Sequence, residues 1–186
     1  MRTEDMNKEM ADKENVALVG FRTTGKSLVG RALARKLHRT FVDMDAELVV
    51  SFGLDIDAWV RSHGWESFRE EESRLLEELA GRRNLVVATG GGVVLKAGNR
   101  ERLKNHFFVI WLQASPQTIH SRMVHDPKSA ANRPPLTDLP LQKEIERLLL
   151  DRNPLYEEVA DLTLRTDNAS AVELTAEIRR RMASFR

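Results

Sequence analysis

Residues 15–28, N-V-A-L-V-G-F-R-T-T-G-K-S-L, restrict the possible folds more than any other stretch. A short apolar run, Val16-Ala17-Leu18-Val19, ends at Gly20. Gly25, Lys26 and Ser27 follow, and a helix-like pattern opens at Leu28. This is G-x-x-x-x-G-K-[ST] between a strand and a helix, the context that a phosphate-binding loop requires. Its two glycines let the backbone turn tightly and aim N–H groups at an anion. The N-terminal end of the next helix adds positive potential. In this reading Lys26 reaches the β- and γ-phosphates of a nucleotide and the Ser27 hydroxyl ligates Mg2+. The plain alternative is an ordinary Gly-rich turn, and the flanking strand and helix weigh against it.

Beyond this loop, strand-like and helix-like segments alternate. Leu28, Ala32, Leu33 and Leu37 recur at helical spacing. Phe41-Val42 reads as a short strand, residues 46–50 as helix and residues 57–61 as a helical turn stopped near His63-Gly64. Residues 65–79 form a long charged helix closed by Gly81 in the manner of a C-cap. Residues 85–89 and 107–112 are continuous apolar runs, as in strands buried on both faces of a parallel sheet. Helices are expected over 96–104, 116–123, 141–159 (bent or interrupted near Asn153-Pro154) and 171–182, with a last strand at 162–164. Five such alternations predict a three-layer α/β/α fold around a five-stranded parallel sheet. Ligands in such sheets bind at the carboxyl ends of the strands.

Bulk properties bound the rest. The 186 residues suit one globular domain, and a formal net charge of +1 provides no field for steering onto nucleic acid or an anionic membrane. The chain has no cysteine, hence no disulfide framework and no thiolate metal site. Residues 1–14 mix acids and bases without an apolar core, so they read as a solvated, disordered or loosely helical leader rather than a signal peptide. The longest purely apolar run, 107–112, is too short to span a bilayer. A cytoplasmic protein is therefore expected, with residues 15–186 as its single domain. Residues 124–140 hold four of the six prolines and read as a functional loop, of the kind that serves as a lid.

Candidate chemistry lies at the strand ends. Asp43 and Asp45 leave the second strand beside the phosphate loop. Two such carboxylates can hold Mg2+ through water and accept hydrogen bonds or a proton from a hydroxylated substrate. They can equally cap the helix that starts at Ala46. Thr89-Gly90-Gly91-Gly92 opens the backbone after the third strand to close approach by a ligand, or makes a flexible turn. Arg69, Arg133 and Arg152 are each readable as solvated charges or as ligands for carboxylate or phosphate. Spacing alone does not bring them together.

In chain order, G-F-R-T-T-G-K-S, F-V-D-M-D, F-R-E-E-E, A-T-G-G-G, N-R-P-P-L and D-R-N-P-L-Y resemble the shikimate kinases. These are small P-loop kinases related in fold to the nucleoside monophosphate kinases. The resemblance covers everything from Asn15 to the last helix. It implies transfer of the ATP γ-phosphate to the 3-hydroxyl of shikimate, in the route to chorismate and the aromatic amino acids. Under it, Gly20, Thr23, Thr24, Gly25, Lys26, Ser27 and Leu28 contact ATP, with Arg122 near the adenine and Arg133 as a lid arginine closing over the nucleotide. Mg2+ falls to Ser27 and Asp43. Asp45 holds the shikimate hydroxyls and orients or deprotonates the nucleophile. Arg69 and Arg152 pair with the shikimate carboxylate, and Gly90, Gly91 and Gly92 line its pocket. Lys26, Asp45 and Arg133 are thus the expected catalytic set. Arg22 stands where family members often carry a small residue or Met. The segment Thr166-Asp167-Asn168-Ala169 does not match the family's basic residue near the adenine. The implied partners are ATP and shikimate, with a monomer as the simplest assembly.

Overall fold

The computed structural model describes residues 13–125 and 139–184. Five strands, Asn15–Val19 (β1), Thr40–Asp43 (β2), Leu85–Ala88 (β3), Phe107–Gln113 (β4) and Leu162–Arg165 (β5), pair in parallel in the order β2-β3-β1-β4-β5. The helices are Lys26–Leu37 (α1), Met44–Phe52 (α2), Ile56–Ala80 (α3), Ala97–His106 (α4), Pro116–His125 (α5), Leu141–Val159 (α6) and Ala171–Ala183 (α7). A short 3-10 turn spans Val93–Leu95.

The central strands are continuous apolar runs because both their faces are covered. On one face Val16, Leu18, Val86, Phe108, Ile110 and Leu112 pack against Val29 and Leu33 of α1 and Leu174 and Ile178 of α7. On the other, Ala17, Val19, Val87, Val109 and Trp111 meet Leu76 and Leu79 of α3, Leu103 of α4, and Tyr156 and Val159 of α6. Alternate residues of one strand thus serve opposite layers. The edge strands β2 and β5 mix buried with exposed positions. Each fully buried Leu, Ile, Val or Phe contributes about 1.5–3 kcal/mol, so these two layers dominate the favourable side of folding.

Polar groups fix the register. Asn15 is buried, donates its amide to the Arg82 carbonyl at 2.7 Å and accepts from the Leu85 N–H at 3.0 Å. It thereby satisfies backbone groups at the entrance to β3, one residue before the β1–β3 ladder starts at Val16 and Val86. Lys13 and Glu14, assigned to the leader from sequence, pair with Asp161 at 3.3 Å and with Arg83 at 3.3 Å respectively. Residues 1–12, the rest of that expected leader, lie outside the described residues, as do residues 126–138 of the expected lid.

The helix boundaries follow sequence signals with two informative departures. His38 and Gly53 end α1 and α2 in the left-handed conformation. The stop expected at His63-Gly64 is a kink inside α3, where Gly64 adopts φ 80 and ψ 165 before the helix resumes. Pro154 lies inside α6 and does not end it. Proline removes the N–H that would have met the Leu150 carbonyl one turn earlier. Leu150 is exposed, so water can satisfy that carbonyl.

Candidate active site

The loops after β1, β2 and β3 open along one edge of the sheet. After β1 the chain turns through Gly20 at φ 138, Thr23 at φ 61 and Gly25 at φ 94. At Gly20 a side chain would also collide with the Leu112 carbonyl, so the turn depends on glycine twice over. Thr24 is buried and donates to the Phe21 carbonyl at 2.8 Å, closing the loop from inside. Lys26 donates to the carbonyls of Gly20 and Phe21 at 2.9 and 2.7 Å, which folds the ammonium back over the loop. No carboxylate sits in the first turn of α1, so its positive end is left for an anion. Thr23, Gly25, Lys26, Ser27 and Leu28 line a cleft completed by Asp43, Asp45, Thr89, Arg122 and His125.

Ser27 donates its hydroxyl to Asp43 at 2.5 Å, and the other Asp43 oxygen accepts from the Ala46 N–H at 3.5 Å. The capping expected of Asp43 is therefore present, and its other oxygen faces the phosphate loop. Two hard oxygens side by side suit a cation such as Mg2+, which takes one or two protein ligands and keeps several waters. Among the described residues no cluster of three or more His, Cys, Asp or Glu side chains could form a dedicated metal cage.

Arg122 donates to the Thr23 carbonyl at 3.2 Å and to both oxygens of Thr166, at 3.1 Å for the hydroxyl and 2.5 Å for the carbonyl. It ties α5 to the phosphate loop and to the turn after β5. Beside it Asp167 accepts from the Ser115 N–H and the Thr118 hydroxyl, each at 2.8 Å. The Ser115 backbone bond, more than any other cause, holds the Asp167 carboxyl well below the usual range.

The second cavity lies between α2, α3, α6 and the glycine turn. Arg22, Asp45, Phe68, Arg69, Glu72 and Arg152 line it, together with Trp65 and residues 90–92. Arg69 reaches Glu72 at 2.7 Å and lies over the rings of Trp65 and Phe68, 5.2 and 5.1 Å from their centroids. Glu72 is fully buried, and among the described residues no donor reaches its Oε1. Burial raises its pKa, while the Arg69 charge and hydrogen bond pull the other way; Asp45 adds to the rise and Arg152 opposes it. Arg152 and Tyr156, one turn apart on α6, both donate to the Gly91 carbonyl, at 3.2 and 2.5 Å. Desolvation pushes the Tyr156 hydroxyl up to about 12, so it stays a neutral donor.

Here the three glycines have distinct tasks. A Cβ at Gly92 would occupy the place of the Arg69 guanidinium, and one at Gly90 that of a Glu72 carboxyl oxygen. Gly91 supplies the carbonyl that orients Arg152.

Of the residues singled out from sequence, Asp45, Arg69, Gly90, Gly91, Gly92 and Arg152 share this pocket, while Lys26, Ser27, Asp43 and Arg122 share the neighbouring cleft. Asp45 lines both. Arg133 lies outside the described residues. Arg22, Glu72, Trp65 and Tyr156 received no site role from sequence. Glu72 stands three residues after Arg69 on one helix and Tyr156 four after Arg152, spacings that bring side chains together.

The model of the shikimate kinase family matches residues 22–183. The chain belongs to the shikimate kinase family. A shikimate kinase of Syntrophus aciditrophicus is 39% identical over 183 residues, covering 94% of each chain. One from Vibrio cholerae is 43% identical over 164 residues, 87% of this chain and 91% of that protein. Among solved structures, the shikimate kinase of Acinetobacter baumannii in complex with shikimate aligns with a TM-score of 0.87 at 35% identity, covering 96% of this chain and 97% of that one. A gluconokinase from Sinorhizobium meliloti aligns at 0.55 with 19% identity, which shows a shared fold only. The fold of this shikimate kinase family member is the P-loop kinase fold expected from its sequence. Among the described residues no helix is long and apolar enough to cross a membrane.

Proposed function

We propose that this chain transfers the γ-phosphate of ATP to the 3-hydroxyl of shikimate. One observation carries the reading: Asp45 lines both the phosphate cleft and the arginine-bearing pocket beside it. A carboxylate at that junction can face an acceptor hydroxyl on one side and a transferable phosphoryl group on the other.

The division of labour follows from the lining. Backbone N–H groups of the loop and α1, with Lys26, hold the triphosphate. Ser27 and Asp43 hold Mg2+, which when bound neutralises charge on the phosphate oxygens. Arg69 and Arg152 come from different helices and present two guanidinium groups to one pocket, a fork for a carboxylate. Asp45 accepts from the shikimate hydroxyls and aligns or deprotonates the nucleophile. Phe68 and Trp65 give the six-membered carbocycle an apolar wall. Catalysis is then positioning and electrostatics, with no covalent intermediate on the protein. Arg133 belongs to this proposal as a cation brought over ATP by residues 124–140. We also place the enzyme in the cytoplasm, where ATP and Mg2+ are supplied, as a monomer.

A coupled assay of ADP release with purified protein, ATP, Mg2+ and shikimate tests the reading. Saturable shikimate-dependent ADP release is expected. Release no higher than that of Lys26→Ala would remove the assignment.

A further inference from the structure

The two arginines of the acceptor pocket are held in different ways. Arg69 is paired with the Glu72 carboxylate at 2.7 Å. Arg152, 6% exposed, donates instead to a neutral group, the Gly91 carbonyl, at 3.2 Å. Its guanidinium also lies 5.8 Å from the centroid of the Phe21 ring, a contact that supports it without aiming its N–H groups. The direction of Arg152 therefore depends on where the Gly91 carbonyl points.

That carbonyl belongs to the central peptide of a turn. The Val93 N–H donates to the Gly90 carbonyl at 3.3 Å, which places Gly91 and Gly92 at the centre of a four-residue turn. Gly92 has φ −106 and ψ 1. These are close to the values of about −90° and 0° at the third position of a type I turn. A type II turn keeps the same closing bond but turns the central peptide over, and it needs positive φ at that position. Glycine adopts positive φ at no steric cost. The backbone thus has two orientations open to it, and only one of them presents the Gly91 carbonyl to Arg152.

Tyr156 selects between them. It is fully buried, and its hydroxyl donates to the same Gly91 carbonyl at 2.5 Å. Its ring lies 5.8 Å from that of Trp111 on β4, so the donor is anchored in the core beneath the sheet. A buried hydroxyl needs some partner. The partner taken here is the one acceptor that Arg152 also uses. We propose that Tyr156 is a positioning residue for the acceptor: its hydroxyl holds the central peptide of the glycine turn in one orientation, and the carbonyl so held aims Arg152 at the acceptor carboxylate. The inference rests on the shikimate kinase reading and adds a residue to it.

Tyr156→Phe removes the hydroxyl alone. Initial rates of ADP release are measured on the full-length protein with shikimate and ATP varied in turn, for wild type, Tyr156→Phe and Val159→Ala. Val159 is buried in the same core cluster on α6, and its truncation weakens the helix without touching the turn. Tyr156→Phe should raise the KM for shikimate roughly three- to tenfold, the scale of one lost hydrogen bond, with kcat and the KM for ATP within about twofold of wild type. Val159→Ala should lower the urea midpoint and leave all three constants in place. A crystal structure of Tyr156→Phe should show the Gly91–Gly92 peptide turned over or Arg152 displaced from its carbonyl. An unaltered KM for shikimate in Tyr156→Phe, an equal rise in Val159→Ala, or a Tyr156→Phe structure with peptide and Arg152 in place would each overturn the proposal. Active wild-type protein with Tyr156→Phe indistinguishable from it overturns this inference alone. Wild-type protein with no shikimate-dependent ADP release overturns the shikimate kinase reading and this inference with it.

Discussion

Arg69 and Glu72, one turn apart on α3, form an ion pair at 2.7 Å whose carboxylate is fully buried. The cost of that burial falls on the ionised form of the carboxyl group. Desolvation leads the rise of the Glu72 pKa above its ordinary 4.5, against the pull of Arg69. The unfolded chain therefore releases this proton at lower pH than the folded one. Stability from this group is greatest below the unfolded value and falls as pH rises from about 4.5 through the folded value. Glu72→Gln removes this titration. Urea denaturation at a series of pH values should show the wild type losing stability relative to Glu72→Gln as pH rises over that window. Parallel profiles would contradict the assignment.

The same pair bears on the role proposed for Arg69. Glu72 and two aromatic rings fix its guanidinium, so that binding a carboxylate there would not require ordering it first. Arg69→Ala should raise the Michaelis constant for shikimate by a factor equivalent to about 2–5 kcal/mol and leave that for ATP nearly unchanged. Initial rates with each substrate varied in turn give both constants. An unaltered constant for shikimate would show that Arg69 does not reach the acceptor.

Gly92→Ala tests the pocket by sterics instead of charge. The added methyl group would fall on the Arg69 guanidinium. Displacing that side chain should imitate Arg69→Ala in shikimate affinity, with ATP affinity retained. Shikimate titrations of Gly92→Ala that superimpose on wild type would mean that the turn and α3 are not packed as described.

Asn15 supplies a prediction for the fold alone. Asn15→Leu leaves the Arg82 carbonyl and the Leu85 N–H without their side-chain partners. Each such group costs about 1–3 kcal/mol when buried, so chemical denaturation should report a loss on that scale. Kinetic constants should not move, because Asn15 is at the opposite end of β1 from the phosphate loop.

What was legible in the sequence was what neighbouring residues determine. The apolar runs of β3 and β4, the helical spacing of Leu33 and Leu37, and the glycines around Lys26 are local patterns, and the structure reproduces them; Leu28 instead is exposed, and Val29 takes the place expected of it on the buried face of α1. Alternation of strands and helices then fixed the parallel sheet, and with it the edge where function lies. Which arginines converge was not local. Arg69 and Arg152 are far apart in sequence and meet only because α3 and α6 cover the same face of the sheet; the family resemblance, not the spacing, grouped them. Glu72 was inside a quoted motif yet looked like one more surface acid, because burial depends on the partner layer. Arg22 looked like a loop substitution, since nothing in its sequence says that its side chain leaves the nucleotide side. Pro154 read as a bend or interruption within the helix over 141–159, and α6 runs through it on the exposed side of the helix at Leu150.

The account stands on Asp45 facing the acceptor hydroxyl at the junction of the two cavities. Single-turnover and equilibrium ATP-binding measurements on Asp45→Asn test it most directly. General-base or orienting roles are worth roughly 10²–10⁴-fold, so turnover should fall by that order while the Kd for ATP stays within about threefold of wild type. Full turnover in Asp45→Asn, or a loss explained entirely by weaker ATP binding, would contradict the placement of this carboxylate at the site of transfer.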